Sequence, residues 1–290
     1  MSWQPPQGGP PQGGPPQASQ QPVSDLPEHA RERLTLMRGD ATHRPFFTSD
    51  LSVNEFLLMR EAGFESVGLV MGSSIYHIGI NIANWNQNQE MLVLSQAMYH
   101  ARSLAMTRMQ EEANILGADG IIGVRLNINR YEWGESIAEF MAVGTAVRSL
   151  NGQSFRNVRG LPFTSDLSGQ DFWTLLRAGY RPVSLAMGSC VYHVAHQSLR
   201  QSLKQMGRNM EMANYTQALY DARELAMERM QAEAVNLGAQ GVVGSRVQEG
   251  SYGWETHVIE YFAVGTAVVP ISDEHRVQPP TLTLSLNDPL

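Results

Sequence analysis

The segment Phe47-Thr48-Ser49-Asp50-Leu51-Ser52 is repeated verbatim as Phe163-Thr164-Ser165-Asp166-Leu167-Ser168, 116 residues later. Near the end of each half, Gly144-Thr145-Ala146-Val147 is repeated as Gly265-Thr266-Ala267-Val268, 121 residues later. The second half therefore carries an insertion of five residues and otherwise stays in register. A period this long is too large for a solenoid unit, and each half is long enough to hold its own core. The repeat predicts two domains of one fold.

Composition argues against several classes of function. The chain is 42% hydrophobic and 17% charged, which is typical of a soluble globular protein, and no segment is apolar enough to predict a membrane span. A net charge of −7 argues against nucleic-acid binding, which needs clustered cations. The N-terminus lacks the features of a secretory signal, so we expect a cytoplasmic protein. The single cysteine, Cys190, argues against a disulfide framework or a thiolate metal site within one chain.

Changes in composition divide the chain into six predicted segments. The first is a Pro/Gly/Gln-rich tail that cannot bury enough apolar surface to fold. A short helix follows, with Pro27 in its first turn and Gly39 at its end. Either terminal tail is a candidate binding site for a protein partner. The predicted bounds are 1–26 for the tail, 27–43 for the short helix and linker, 44–148 for the first domain, 149–160 for a linker, 161–269 for the second domain and 270–290 for the C-terminal tail.

Each predicted domain begins with a capped short helix. Ser52 is followed three residues later by Glu55, and Ser168 by Asp171, which is the spacing of a capping box. A buried strand follows at 67–71, and we expect it to end at Gly72. Its counterpart in the second copy is 183–187.

A long helix and a β-hairpin complete each domain. The helices are predicted at 91–116 and 212–237, with alanines spaced to pack closely against a sheet. The hairpins pair 120–129 with 136–147, and 241–248 with 256–269. The predicted fold class is α+β: two tandem β-α-β-β domains, each a small antiparallel sheet packed by one long helix, with an extra short N-terminal helix per domain.

The long helix and the hairpin resemble a known family. The residues that carry the resemblance are Ala101-Arg102, Glu112-Ala113, Leu116 to Arg125 and Gly144 to Val147. They resemble the YbjQ family of small bacterial domains, which are often labelled heavy-metal-binding. The second copy matches through Ala222-Arg223, Glu233-Ala234, Leu237-Gly238-Ala239, Gly241 to Gly244 and Gly265 to Val268. The resemblance covers about 64–147 and 180–268.

The resemblance implies a dodecin-like unit that assembles as a homopentameric ring. This chain departs from the family pattern because two domains are fused, each has an extra helix in front, and the insertion makes the halves unequal. We therefore expect a five-fold homo-oligomer of ten domains, arranged as two stacked rings or as one larger alternating ring.

Two histidines are the candidate metal ligands. His77 and His193 occupy equivalent Met-Gly-Ser-x-x-Tyr-His contexts after the buried strand. Imidazoles brought together around a ring can ligate a divalent or soft metal ion. The alternative is a structural role, in which each ring bonds to backbone or to a neighbouring domain.

Two charged pairs lie within otherwise apolar strands. If each hairpin is centred on its Tyr-x-Trp turn, Arg125 lies directly across from Glu139, and Arg246 from Glu260. We expect each pair to form a structural ion pair across the ladder or between subunits, and otherwise to line a pore or an anion site.

The chain has no phosphate-binding loop, nucleophile elbow or dinucleotide fingerprint. The sequence therefore predicts a non-enzymatic oligomer that forms a ring or shell. The alternative is a heavy-metal or small-ligand binding protein with sites at domain or subunit boundaries.

Overall fold

A computed structural model of the chain describes residues 26–39, 42–77, 87–130, 137–195, 212–250 and 258–272. Residues 1–25 and 273–290, to which we assigned most of the two tails, lie outside these ranges. Among the described helices, none is both long and apolar enough to cross a bilayer.

A short helix, a long strand, a long helix and two further strands follow one another in the same order in both halves, and each half has additional described elements of its own. The first half contains α1 Glu28–Arg38, α2 Val53–Glu61, β1 Phe64–His77, β2 Gln89–Glu90, α3 Leu92–Ile115, β3 Gly120–Arg130 and β4 Ile137–Ser149. The second half contains β5 Phe163–Thr164, α4 Gly169–Arg177, β6 Tyr180–His193, α5 Ala213–Asn236, β7 Gly241–Gly250 and β8 Val258–Pro270. These elements confirm the predicted α+β fold class, and α1 and the two long helices begin and end within one residue of the prediction.

Each half builds a four-stranded sheet that borrows one short strand from the other half. Sheet A has the order β1-β4-β3-β5, and sheet B has the order β2-β6-β8-β7. The β3–β5 pair is parallel, whereas the other pairs are antiparallel. Since β5 belongs to the second half and β2 to the first, the two halves are joined by backbone hydrogen bonds as well as by side chains.

The two long helices pack on their own sheets through small residues. Ala101, Ala105 and Ala113 on α3 are fully buried, as are Ala222 and Ala226 on α5. Close approach is visible where the Ser74 hydroxyl donates to the Ala101 carbonyl at 2.7 Å. Larger side chains on this stripe would push the helix away from the sheet.

The first long strand does not end at Gly72 as predicted, because β1 continues to His77. Gly72 lies where the strand crosses α3, and a Cβ atom there would lie 2.1 Å from the Ala105 carbonyl oxygen. Gly188 occupies the same position under α5, 2.0 Å from the Ala226 carbonyl oxygen. These glycines therefore permit close helix packing and do not terminate the strands.

The short helices begin as the sequence predicts. The Ser52 hydroxyl accepts from the Glu55 amide, and the Glu55 carboxylate accepts from the Ser52 amide, so both halves of the capping box are present. In the second copy the Ser168 hydroxyl accepts from the Asp171 amide. The shorter aspartate bonds to the Ser168 hydroxyl.

Replacing Gly72 by Ala tests the close approach of β1 to α3. Because the added methyl meets helix backbone, we expect the free energy of unfolding to fall by about 1–3 kcal/mol in guanidinium titrations. Ser73→Ala, at the adjacent position, should change it by less than about 0.5 kcal/mol. Equal stability of the two variants would contradict this packing.

Candidate functional site

The candidate site is a network of polar side chains where α3 lies between the two sheets. One side of α3 packs on sheet A, and the opposite side packs on the outer face of sheet B. Met98 and Arg102 are buried on that second side. The first domain thus contributes a helix face to this junction, and the second domain contributes a sheet face.

A buried ion pair lies at the centre of the junction. The Arg102 guanidinium donates to both carboxylate oxygens of Glu260 at 2.6 and 3.0 Å. The two side chains are 3% and 1% exposed. The Ser189 hydroxyl also donates to this carboxylate, and the guanidinium lies 4.0 Å above the Phe262 ring centroid. A bidentate pair with both charges buried permits one register between the helix and the sheet.

Backbone hydrogen bonds extend the junction along the edge of β6. Gln89 and Glu90 pair with His193 and Tyr192 in antiparallel register. At the start of α3, the Met91 amide donates to the Val191 carbonyl at 2.8 Å. The Val191 amide donates to the Ser95 hydroxyl at 2.8 Å. The entry into α3 therefore covers a strand edge of the second domain.

A second ion pair joins the same strand edge to α5. The Arg229 guanidinium donates to both oxygens of Glu90 at 2.6 and 2.9 Å, and to the Ser189 carbonyl. Glu90 comes from the first domain and Arg229 from the second. This pair is partly exposed, so its contribution to stability is smaller than that of the buried pair.

The repeated hexapeptide of the second half contacts the first domain at the free edge of β3. Its Phe163 and Thr164 pair in parallel with Gly120 and Ile121 of β3. The Phe163 ring occupies the space above Gly120, where a Cβ atom would lie 2.1 Å from the ring. This segment, residues 163–167, is called the leader of the second domain, and residues 47–51 are the leader of the first.

The predicted pairing of Arg125 with Glu139 and of Arg246 with Glu260 across the hairpins is wrong. Arg125 lies opposite Val143, and Arg246 lies opposite Val264. The strand pairs centre each hairpin about two residues after the middle of its Tyr-x-Trp sequence. The bulges after 122 and after 243 lie farther from the hairpin ends than the two arginines, so they do not set these pairs.

Both strand arginines bind a leader aspartate instead. Arg125 donates to the Asp50 carboxylate, and Arg246 donates to that of Asp166 at 2.7 Å. The two aspartates belong to the verbatim repeat, so a search for partners of the two repeated arginines could have found them. Glu139 and Glu260 lie opposite Asn129 and Gly250, and Glu260 serves the domain junction.

The two candidate metal ligands lie in different surroundings. His77 is exposed at the end of β1, whereas His193 is buried at the end of β6, with its Nδ1 3.3 Å from the Gln87 carbonyl oxygen. In the described ranges, no three His, Cys, Asp or Glu side chains come together in a metal-binding group. Metal binding by these histidines stays a prediction.

The lone cysteine is poorly suited to bind a metal. Burial raises the pKa of the Cys190 thiol to about 12, so the thiol remains protonated at neutral pH. Metal ligation requires the thiolate.

A buried carboxyl group marks the edge of the junction. The Glu233 carboxylate accepts from the Met187 amide at 2.6 Å and from the Tyr99 hydroxyl at 2.9 Å. Burial raises the pKa of Glu233 to about 6, and the two hydrogen bonds only partly offset that effect. Tyr99 belongs to α3 and Glu233 to α5, so the protonation of this group is linked to domain contact.

Removing Arg102 alone should lower the free energy of unfolding more than replacing both members of the buried pair. We expect Arg102→Met to lower the free energy of unfolding by about 3–5 kcal/mol, because Glu260 is left buried without its cation. The double variant Arg102→Met/Glu260→Gln should regain part of this loss. Guanidinium titration measures both. Arg125→Met, at an exposed pair, should cost at most about 1 kcal/mol. Equal losses at the two arginines would contradict the central role of Arg102.

The Glu233 carboxyl predicts a pH dependence of stability. Its folded-state pKa of about 6 lies above the ordinary value of 4.5, so the folded chain binds this proton more tightly than the unfolded chain. Its contribution favours folding at low pH and is lost as the pH rises from 4.5 to about 6. Glu233→Gln should flatten this part of the stability profile, measured by denaturant titration, whereas exposed Glu228→Gln should not. An unchanged slope in Glu233→Gln would refute the assignment.

The comparisons with known proteins agree with the duplicated fold. The YbjQ family model, described as "Putative heavy-metal-binding", matches residues 67–149 and 184–270. An encapsulin nanocompartment protein of Mycobacterium tuberculosis is 54% identical over 223 residues, which are 77% of this chain and 85% of that protein. A UPF0145 protein of Halorubrum lacusprofundi is 38% identical over 104 residues, which are 34% of this chain and 97% of that protein. A UPF0145 protein of Clostridium perfringens is 41% identical over 88 residues, 29% of this chain and 81% of that protein. The chain belongs to the YbjQ family and carries two of its domains in tandem.

Proposed function

We propose that this chain is a non-enzymatic structural subunit that assembles with copies of itself into a cytoplasmic ring or shell. The observation that carries the proposal is the form of the domain junction, in which a helix face of one domain docks on a sheet face of the other. Such a contact is heterologous, so it uses a different surface on each partner and leaves one of each kind available for the next. Repetition of the contact produces a closed ring or a filament.

The Mycobacterium tuberculosis relative supports an assembly of the compartment type. That protein is named as an encapsulin nanocompartment protein and shares 54% identity over 77% of this chain. We therefore propose that this chain acts in a protein nanocompartment. The resemblance described above implies a five-fold arrangement. The terminal tails remain the proposed contacts to other components.

Metal or small-ligand binding is the second candidate, and the family description is the observation that favours it. Symmetry in an assembly can bring together ligands that a single chain keeps apart. His77 and His193 remain the proposed ligands, for a divalent or soft metal ion.

The native mass of the untagged chain tests the first proposal. Light scattering should give a closed multiple of the 32.1 kDa chain, with five chains as the expected multiple. A monomer over a wide range of concentrations would overturn the structural role.

Elemental analysis of the same peak tests the second proposal. Near-stoichiometric metal that is lost in the His77→Ala/His193→Ala double variant would support a binding protein. Assemblies of the expected mass that contain no metal would contradict the metal-binding proposal and leave the structural role as the one supported function.

A further inference from the structure

Besides the pairing of β2 with β6, the junction between the two domains uses four surfaces, and the repeat supplies a second copy of each of these four. The first domain contributes the outer face of α3 and the edge of β3, and the second domain contributes the outer face of sheet B and the leader 163–167. The four counterparts are the outer face of α5, the edge of β7, the outer face of sheet A and the leader 47–51. Within the described part of the chain, these counterparts are the more exposed members of each set.

The helix face of α5 retains the chemistry of the buried face of α3. Thr216 replaces Ser95 and keeps a hydroxyl group, and Arg223 stands in the place of Arg102, 121 residues later. The Arg102 side chain is 3% exposed, whereas that of Arg223 is 41% exposed. Arg223 contacts Glu224 at 3.8 Å and the Tyr220 ring at 4.3 Å, and both of these contacts lie within α5. A stripe that is buried in one repeat and more exposed in the other is a candidate contact surface.

The outer face of sheet A retains the chemistry of sheet B. Glu139 stands in the place of Glu260, and Ile75 in the place of Val191. Val191 is fully buried, whereas Ile75 is 61% exposed. Glu139 is half-buried, lies opposite Ile75 on β1 and accepts from the Asn129 side chain at 3.4 Å. Arg223 and Glu139 are complementary in charge, as Arg102 and Glu260 are.

The leaders provide an independent match. Phe163 stacks on Phe172 at 5.7 Å, and Phe47 stacks on Phe56 at 5.4 Å, with nearly parallel rings in both cases. The Phe163 ring is buried above Gly120, whereas Phe47 is 49% exposed.

The counterpart of Gly120 is Gly241, at the start of β7. Among the residues that the structure describes, a Cβ atom there would meet Val268 alone, at 4.0 Å. Phe47 and the space above Gly241 are therefore both accessible on the surface of one chain.

We propose that a second copy of this chain docks head to tail, with the outer face of α5 on the outer face of the next copy's sheet A. Arg223 of one copy forms a bidentate ion pair with Glu139 of the next, and Phe47 of the next copy packs above Gly241 of the first. This inference rests on the proposed structural function and names its interface. The contact repeats the junction already present within the chain, so alternating domains follow one another around the assembly.

The hydrogen bond of Tyr99 to Glu233 is a contact of the junction that we do not expect between copies. Tyr220 is the counterpart of Tyr99, and Glu112 is the counterpart of its acceptor Glu233. The Glu112 carboxylate already accepts from Arg33 of α1 through both oxygens, at 2.9 Å each. The Tyr220 hydroxyl is therefore not needed, and Tyr220→Phe serves as a matched control.

Charge reversal tests the ion pair. Arg223→Glu and Glu139→Arg should each weaken association about 100-fold or more, because two like charges would meet in a buried setting. The double variant Arg223→Glu/Glu139→Arg restores a complementary pair and should recover the native mass in light scattering. Tyr220→Phe should leave the mass unchanged, and circular dichroism of each variant establishes that the chain remains folded.

The outcomes separate the interface from the assembly itself. If the wild-type chain assembles and Arg223→Glu assembles equally well, the interface is refuted while the structural function stands. If the wild-type chain is monomeric, both proposals fail. Failure of the folded double variant to recover the mass would also overturn the pairing of Arg223 with Glu139.

Gly241→Val tests the leader contact separately. The described residues around Gly241 leave room for the larger side chain, so we expect circular dichroism to show normal folding. We also expect loss of the native mass, because the valine fills the space that Phe47 of the next copy would occupy. Phe47→Ala should weaken association in the same direction. Native mass in folded Gly241→Val would overturn the placement of Phe47 above Gly241.

Discussion

The burial of Arg102 is the constraint on which the rest of the structure depends. A guanidinium on a helix between two apolar sheets is very unfavourable unless a carboxylate meets it there. Glu260, supplied by the opposite domain, forms that contact with both oxygens. The pair adds little net stability compared with apolar side chains, but it excludes almost every other register of the helix on the sheet.

This constraint explains why the two halves exchange short strands. Once the pair fixes α3 on sheet B, the segment before α3 runs along the edge of β6, and the leader of the second half reaches the edge of β3. Both exchanged strands contain only two residues. They would contribute little alone, and the large apolar surface around α3 holds them in place.

The duplication converts an association between separate domains into an intramolecular one. A short connection gives the two domains a high effective concentration for each other, so the contact within the chain does not depend on chain concentration. In the proposed assembly, the second contact, from α5 to the outer face of the next copy's sheet A, does depend on it. Val191 is buried and the matching Ile75 is 61% exposed because the chain itself supplies only the first of these two contacts.

Local sequence patterns were sufficient to predict the short helices, the long helices and the hairpins, because caps and periodicity act over a few residues. The predicted end of β1 at Gly72 was wrong, because this glycine makes room for the helix packed above the strand and does not end the strand. Local patterns also failed for Arg125, because the hairpin is centred about two residues beyond the Tyr-x-Trp sequence, and the pairing of two whole strands sets that register.

The sequence by itself determined the duplication, the order of elements and the membership of the YbjQ family, since all three are written in local patterns and in a verbatim repeat. Only the tertiary structure decided that Arg102 pairs with Glu260, 158 residues away, and that the matching Arg223 is 41% exposed. The physical reason is that a repeat encodes two equal surfaces, whereas their burial depends on which of them the other domain covers.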